Sequence, residues 1–295
     1  MTGPKRGRVC LAARLRGVDT VFRRELATVA RTPGYAALAV GLGVALFGLV
    51  AVGGGGATGF VPAVVDLLLP VEALVPAAAV VLGYRALLAD AATGELAVIR
   101  TYPVGVASYV AGVLLARLVA LAVVVGGPAA LVGVYVGLTA APDTGIFATH
   151  AGVDSPLLYV RFLAFVFGLG AAYLSVAAGV SAIASSRRSA IALGALVLVG
   201  GVLGGDLALL ESLSAGTSAA ATPDLLALTP NGAFRGLVFE HVIGVAFAPE
   251  TDFVPTGRAL ASLAGWTLGG AVGGGASIAL GRRADAAIER VRSDE

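Results

Sequence analysis

The sequence predicts an all-α polytopic membrane protein: six transmembrane helices preceded by an amphipathic interfacial elbow helix, with both termini cytoplasmic. Three observations carry that reading. Hydrophobic residues make up 58% of the 295 residues and charged residues only 13%, where a soluble domain carries about 25%. The charges gather in short stretches, separated by long uncharged runs of Ala, Val, Leu and Gly, and runs of that length suit a bilayer. Arginines recur at alternate gaps between the runs, the distribution that orients a multi-pass chain.

Residues 1–33 form a cytoplasmic N-terminus. Leu11, Leu15, Val18, Phe22, Leu26 and Val29 recur at helical spacing, with Arg14, Arg16, Asp19, Arg23, Arg24 and Thr28 between them. A helix with one apolar and one basic side lies flat at a membrane surface, its Arg heads near lipid phosphates. The competing reading is a cytosolic helix packed on protein. Thr32-Pro33-Gly34 then turns the chain into the membrane.

A six-span membrane body covers residues 34–281. Its first span runs from about 34 to 53 and ends in the polyglycine Gly53–Gly56. The second covers about 66–88 and contains Glu72 and Pro76. The third, about 106–138, is long and carries Gly126-Gly127-Pro128, which predicts a kink or a short outer continuation. The fourth covers about 157–184, the fifth is short at about 189–205, and the sixth covers about 259–280. Between the last two lies an external loop, 206–257, whose apolar second half is broken by Arg235, Glu240 and His241. That half is expected to form a short helix lying on the outer surface or dipping into it. Residues 282–295 form a charged cytoplasmic tail.

Orientation follows from Lys5, the N-terminal arginines, Arg85, Arg100, Arg187, Arg188, Arg282, Arg283, Arg290 and Arg292. With six spans all of these fall on one side, the cytoplasmic one. The acids Asp143, Asp154, Asp206, Glu211, Asp224, Glu250 and Asp252 collect on the other, with Arg161, Arg235 and Arg258 as exceptions. The protein is thus expected in the cell membrane as a multi-pass chain.

Charged residues inside spans are costly and mark functional positions or solvated ends. Glu72 is expected a turn or two below the outer end of the second span, either on a translocation surface or hydrogen-bonded near the interface. Arg117, a third of the way into the third span, is expected to snorkel to the headgroups or to mark where the hydrocarbon begins; a place on the translocation path is the other reading. Gly265, Gly269 and Gly273 form a small-residue ridge, expected to serve helix packing within the subunit or between two subunits.

Several chemistries are excluded. The single cysteine, Cys10, forms no intrachain disulfide. His150 and His241 sit in separate loops, and the spans lack Cys and Met, so no metal site is expected and no cofactor is implied. Too few Lys and Arg lie outside the spans to build a nucleic-acid face. The only lysine, Lys5, follows no phosphate-binding loop, and no protease or nucleophile-elbow motif occurs. The chain is therefore read as a non-enzyme.

The most informative loop joins the second and third spans. It runs Asp90-Ala91-Ala92-Thr93-Gly94-Glu95-Leu96-Ala97-Val98-Ile99-Arg100-Thr101-Tyr102-Pro103-Val104. An acid, a Gly, a hydrophobic stretch and a Pro turn in this order resemble the corresponding loop of permeases of the ABC-2 exporter family. The basic N-terminal helix resembles that family's elbow helix, with Leu15, Val18, Phe22, Arg23, Arg24 and Leu26 at the matching places. Leu228-Thr229-Pro230-Asn231-Gly232-Ala233-Phe234-Arg235 resembles the Asn-Pro segment before the family's last span. With the six-span layout, the resemblance covers nearly the whole chain. Within the family, the Ala/Val/Gly-rich style is similar to permeases of nitrous-oxide-reductase maturation. Glu95 stands where the family has Thr, and Thr229-Pro230-Asn231 inverts the common order, so no substrate is assigned.

The resemblance implies a permease subunit driven by a separate cytosolic ATPase, working as a homodimer or with a second permease subunit among membrane lipids. It implies a coupling element at Asp90, Gly94, Glu95, Leu96, Ile99, Arg100, Tyr102 and Pro103. A membrane assembly scaffold and an ion-gradient transporter are the competing functions.

Overall fold

The computed structural model describes residues 4–88, 105–140, 154–216, 218, 221–246 and 253–293. Every regular element among them is helical. In chain order these are α1 (Pro4–Ala30), α2 (Pro33–Gly53), α3 (Phe60–Gly83), α4 (Val106–Thr139), α5 (Pro156–Ser181), α6 (Arg187–Ser214), α7 (Thr222–Leu226), α8 (Pro230–Val238) and α9 (Thr256–Ser293). Six of them, α2 to α6 and α9 up to Leu280, are long and apolar enough to cross a membrane. The chain is a multi-pass membrane protein.

Contacts fix the direction of each helix. Asp154 accepts from the backbone N–H groups of Phe60 and Val61, both at 2.9 Å, and Ser181 Oγ accepts from Leu87 N at 3.1 Å. The start of α5 therefore meets the start of α3, and their ends meet too, so the two run parallel. α9 runs the same way on the other side of α5. There Gly270 lies so close that a Cβ would sit 2.3 Å from the carbonyl carbon of Ser175. That close approach accounts for glycine at this position. α6 runs opposite to α3, with Gly194 beside Val80 and Tyr84 at one end and Asp206 near Glu72 further on. α2 and α4 are parallel, with Phe47 edge-on to Tyr135 at 5.6 Å between centroids. The alternation is that of a chain passing back and forth.

Element bounds differ from the sequence expectation in instructive ways. α3 starts at Phe60 rather than near 66, because the Asp66 carboxylate is used, accepting from Gly55 N at 2.8 Å. Glu72 therefore lies about three turns in, at the middle of the helix rather than near its end. α6 continues through Asp206 to Ser214, so the fifth helix is not short. α4 opens into a π-turn at Ala122–Gly126 just before Pro128, whose missing N–H interrupts the ladder.

α1 packs lengthwise on the first half of α4. Val21 fits against Gly112, and joins Tyr109, Val110, Val113, Leu87 and Ile278 in one buried cluster. The line of α1 that faces protein is Val21, Glu25 and Val29. Leu15 is 60% exposed, while Val18, Phe22, Arg24 and Leu26 are half-buried. Arg23 is exposed and pairs with Asp19 at 3.0 Å, one turn away. Of the apolar stripe read from the sequence, Val29 lies on the packed line, Val18, Phe22 and Leu26 flank it half-buried, and Leu15 is exposed.

Candidate functional site

Of the two readings for the 206–257 loop, a helix on the outer surface or one dipping in, the structure shows the second: α8 lies inside the bundle. Pro230 to Phe234 and Gly236 to Val238 are buried, and Phe234 reaches Phe162 at 6.2 Å between ring centroids. The physical reason is the partner set of Arg235. Its charge is neutralised within the bundle, so the helix need not stay at a wet surface to keep it solvated.

The segment enters, turns and leaves. After Thr222–Leu226 the chain reaches Thr229, whose side chain accepts from Gly232 N at 3.1 Å and caps α8. Asn231, at the tip, donates through Nδ2 to the backbone oxygen of Glu72 at 3.0 Å and accepts from the Tyr173 hydroxyl at 2.6 Å. α8 then climbs to a π-turn at Phe239–Ile243, where His241 Nε2 lies 2.9 Å from Thr256 Oγ1 at the start of α9. Such irregular backbone is tolerated at membrane depth only when protein or a water-lined cavity surrounds it. Here α3, α5, α6 and α9 do so.

Pro76 explains why the tip docks where it does. In an α-helix the oxygen of Glu72 accepts from the N–H of residue 76. Proline has none, and the amide of Asn231 fills the place.

One turn along α8, Arg235 donates from Nε to Glu72 Oε1 at 2.8 Å and from Nη2 to Glu72 Oε2, a two-pronged pair. Its Nη1 and Nη2 also reach Asp206 at 3.2 and 3.1 Å. The Glu72 side chain is 6% exposed, that of Arg235 25% and that of Asp206 47%. Two carboxylates against one guanidinium leave the cluster net negative. It ties the middle of α3 to α6 and, through Asn231 and Tyr173, to α5.

Arg117 belongs to a different cluster. It is 6% exposed and forms a salt bridge with Glu25 of α1 and a hydrogen bond with the Tyr35 hydroxyl at the start of α2. The expectation that it snorkels to headgroups is corrected: a carboxylate brought in by α1 takes its charge, so it has no need to reach water. Its Nε has no hydrogen-bond partner among the described residues.

Glu72 and Arg117 thus do not share one surface. Sequence reasoning missed Glu25, Tyr35, Tyr173, Asp206, Asn231 and Arg235 as members of these clusters. The available signal was the lone intramembrane Glu72, which demands a cation, with Arg235 as an unexplained basic residue in an acidic loop. Asp90, Gly94, Glu95, Leu96, Ile99, Arg100, Tyr102 and Pro103 lie outside the described residues, as does His150. Among the described residues of this chain, Gly265, Gly269 and Gly273 meet nothing within 4 Å, whereas Gly270 and Gly274 pack on α5; of the two packing roles the ridge could serve, the one within the chain falls to Gly270 and Gly274.

Comparison with protein-family models and with curated proteins finds no match for this chain. Its geometry is that of a multi-pass membrane protein with a polar, re-entrant element at mid-span.

Proposed function

We propose that this chain is the transmembrane permease subunit of an ATP-binding-cassette exporter of the ABC-2 type, driven by a separate ATPase. The observation that carries this reading is the re-entrant α8 and its Glu72–Arg235–Asp206 cluster. Charged groups held at mid-span are costly, and their usual use is to line or gate a path across the membrane. An ion-coupled carrier is disfavoured by the lack of an internal repeat in the sequence.

The sequence holds no nucleotide-binding loop, so the energy enters from a partner chain at a cytoplasmic surface. The loop from Asp90 to Val104 joins α3 to α4, so a push there moves both helices. Leu96 and Ile99 supply the apolar knobs, and Asp90, Glu95 and Arg100 the polar rim. A pair of such subunits, identical or not, completes the path. The Arg117–Glu25 bridge makes α1 move with α4.

The test is to purify the tagged chain from membranes and ask whether an ATP-hydrolysing subunit accompanies it. Its ATPase rate should depend on this chain. Purification with no ATPase under conditions that preserve the folded chain would remove the proposal.

A further inference from the structure

Between α6 and α9 the bundle leaves a cleft, floored by α5 at Val176. Trp266 stands between a cavity of about 800 Å³ on one side and one of about 400 Å³ on the other. The larger runs along α9 from Arg258 past Ser262, Gly265 and Gly269 to Gly273. Among the described residues, nothing lies within 4 Å of where a Cβ on Gly265, Gly269 or Gly273 would sit, so this side of α9 is open along the groove.

The two ends of this groove differ. At one end the Arg258–Asp224 ion pair lines it, with side chains 64% and 50% exposed, presenting both signs of charge. Just beyond, Ser262 Oγ and Trp266 Nε1 both donate to the oxygen of Leu228, at 3.1 and 3.0 Å, which satisfies the polar groups there. From that level on, the wall is glycine and aliphatic, with Val180 and Ile183 across from α9, apart from Ser277, whose hydroxyl is turned back to the oxygen of Gly273 at 2.9 Å. From Arg258 to Gly269 α9 rises roughly 16 Å at 1.5 Å per residue. That is about half of the ~30 Å hydrocarbon thickness, one leaflet deep.

We propose that this groove binds a zwitterionic glycerophospholipid, as a site independent of the exporter reading. Its phosphate rests on Arg258, its ammonium on Asp224, and one acyl chain lies over Gly265 and Gly269. The charge pattern selects the head group: an anionic head without an ammonium leaves Asp224 facing like charge. It also disfavours a helix of a second copy as occupant, because an apolar helix seated here would cover the exposed ion pair and strip its water.

Trp266 is the only tryptophan and lines both cavities, so its emission reports on the groove. The full chain is reconstituted in vesicles of phosphatidylethanolamine and phosphatidylglycerol, with brominated chains on one lipid or the other. Brominated phosphatidylethanolamine is expected to quench more strongly at equal mole fraction. Gly269→Leu, which fills open space, should remove that excess while leaving the elution profile and melting unchanged. Arg258→Gln should weaken the preferred lipid about tenfold, the effect of one lost charge-assisted hydrogen bond. Equal quenching by the two lipids, or an excess that survives Gly269→Leu, would overturn the proposal. So would ready disulfide dimerisation of Gly269→Cys, which would place a second copy in the groove.

Discussion

Asn231 Nδ2 donates to the backbone oxygen of Glu72 at 3.0 Å, the oxygen that Pro76 leaves without its helical donor. A side chain from the re-entrant tip thereby completes the hydrogen bonding of a proline-broken span. Removing the amide strands a buried carbonyl, and Asn231→Ala should destabilise the folded chain by about 1–3 kcal/mol. In a Pro76→Ala background the helix supplies its own N–H, and the same change should cost less. Thermal melts of the four variants in detergent measure this coupling. Equal costs in both backgrounds would separate the two residues.

The Glu72–Arg235 pair predicts a steeper loss. Arg235→Gln leaves the buried Glu72 carboxylate without its partner, at about 3–5 kcal/mol, whereas Glu72→Gln should cost less, because Arg235 keeps Asp206. Asp206→Asn should cost less, because Asp206 is half exposed and Glu72 still neutralises Arg235. If Asp206→Asn proved the most damaging by melting temperature, the order of burial would not govern the cluster.

How much of this was legible in the sequence depends on the range of the interaction. The six apolar helices, the break in the helical ladder before Pro128 and the N-terminal helix follow from local composition and spacing. The re-entrant helix was legible only as one of two alternatives, on the surface or dipping in, because Arg235, Glu240 and His241 break its apolar run. Only a carboxylate 163 positions away decides between them. Arg117 likewise seemed a snorkelling end residue, since nothing near it in sequence identifies Glu25, 92 positions away, as its partner. The apolar stripe on α1 was visible. That the packed line runs Val21–Glu25–Val29, sharing only Val29 with that stripe, depends on Gly112 of α4, which admits Val21.

The two faces of α1 should separate by mutation. Glu25→Ala strands buried Arg117 and should lower stability by about 3–5 kcal/mol, measured by melting of the purified chain. Phe22 and Leu26, changed together to Asp, should loosen membrane seating and reduce assembly with little effect on the Arg117 bridge. Carbonate extraction reads the seating. If a chain lacking residues up to Thr32 inserted, assembled and functioned normally, α1 would have no role in any of these.

Sidedness follows from the arginines. Tags at Ala57, Thr149 and Ser218 should be reached by external reagents in intact cells, while tags at either terminus should be protected. A C-terminus open to external protease would contradict the proposed orientation.

The exporter reading meets its most direct test at the loop between α3 and α4. The tagged chain, and a variant with Leu96→Ser and Ile99→Ser, are purified from membranes and assayed for captured ATPase activity. The account predicts that the parent chain brings down and stimulates an ATP-hydrolysing subunit. It predicts that the variant inserts and melts normally but loses most of that capture. A variant that is inserted, stable and fully able to capture and stimulate the ATPase would contradict the coupling role of the loop, and a parent chain that captures none would contradict the exporter itself.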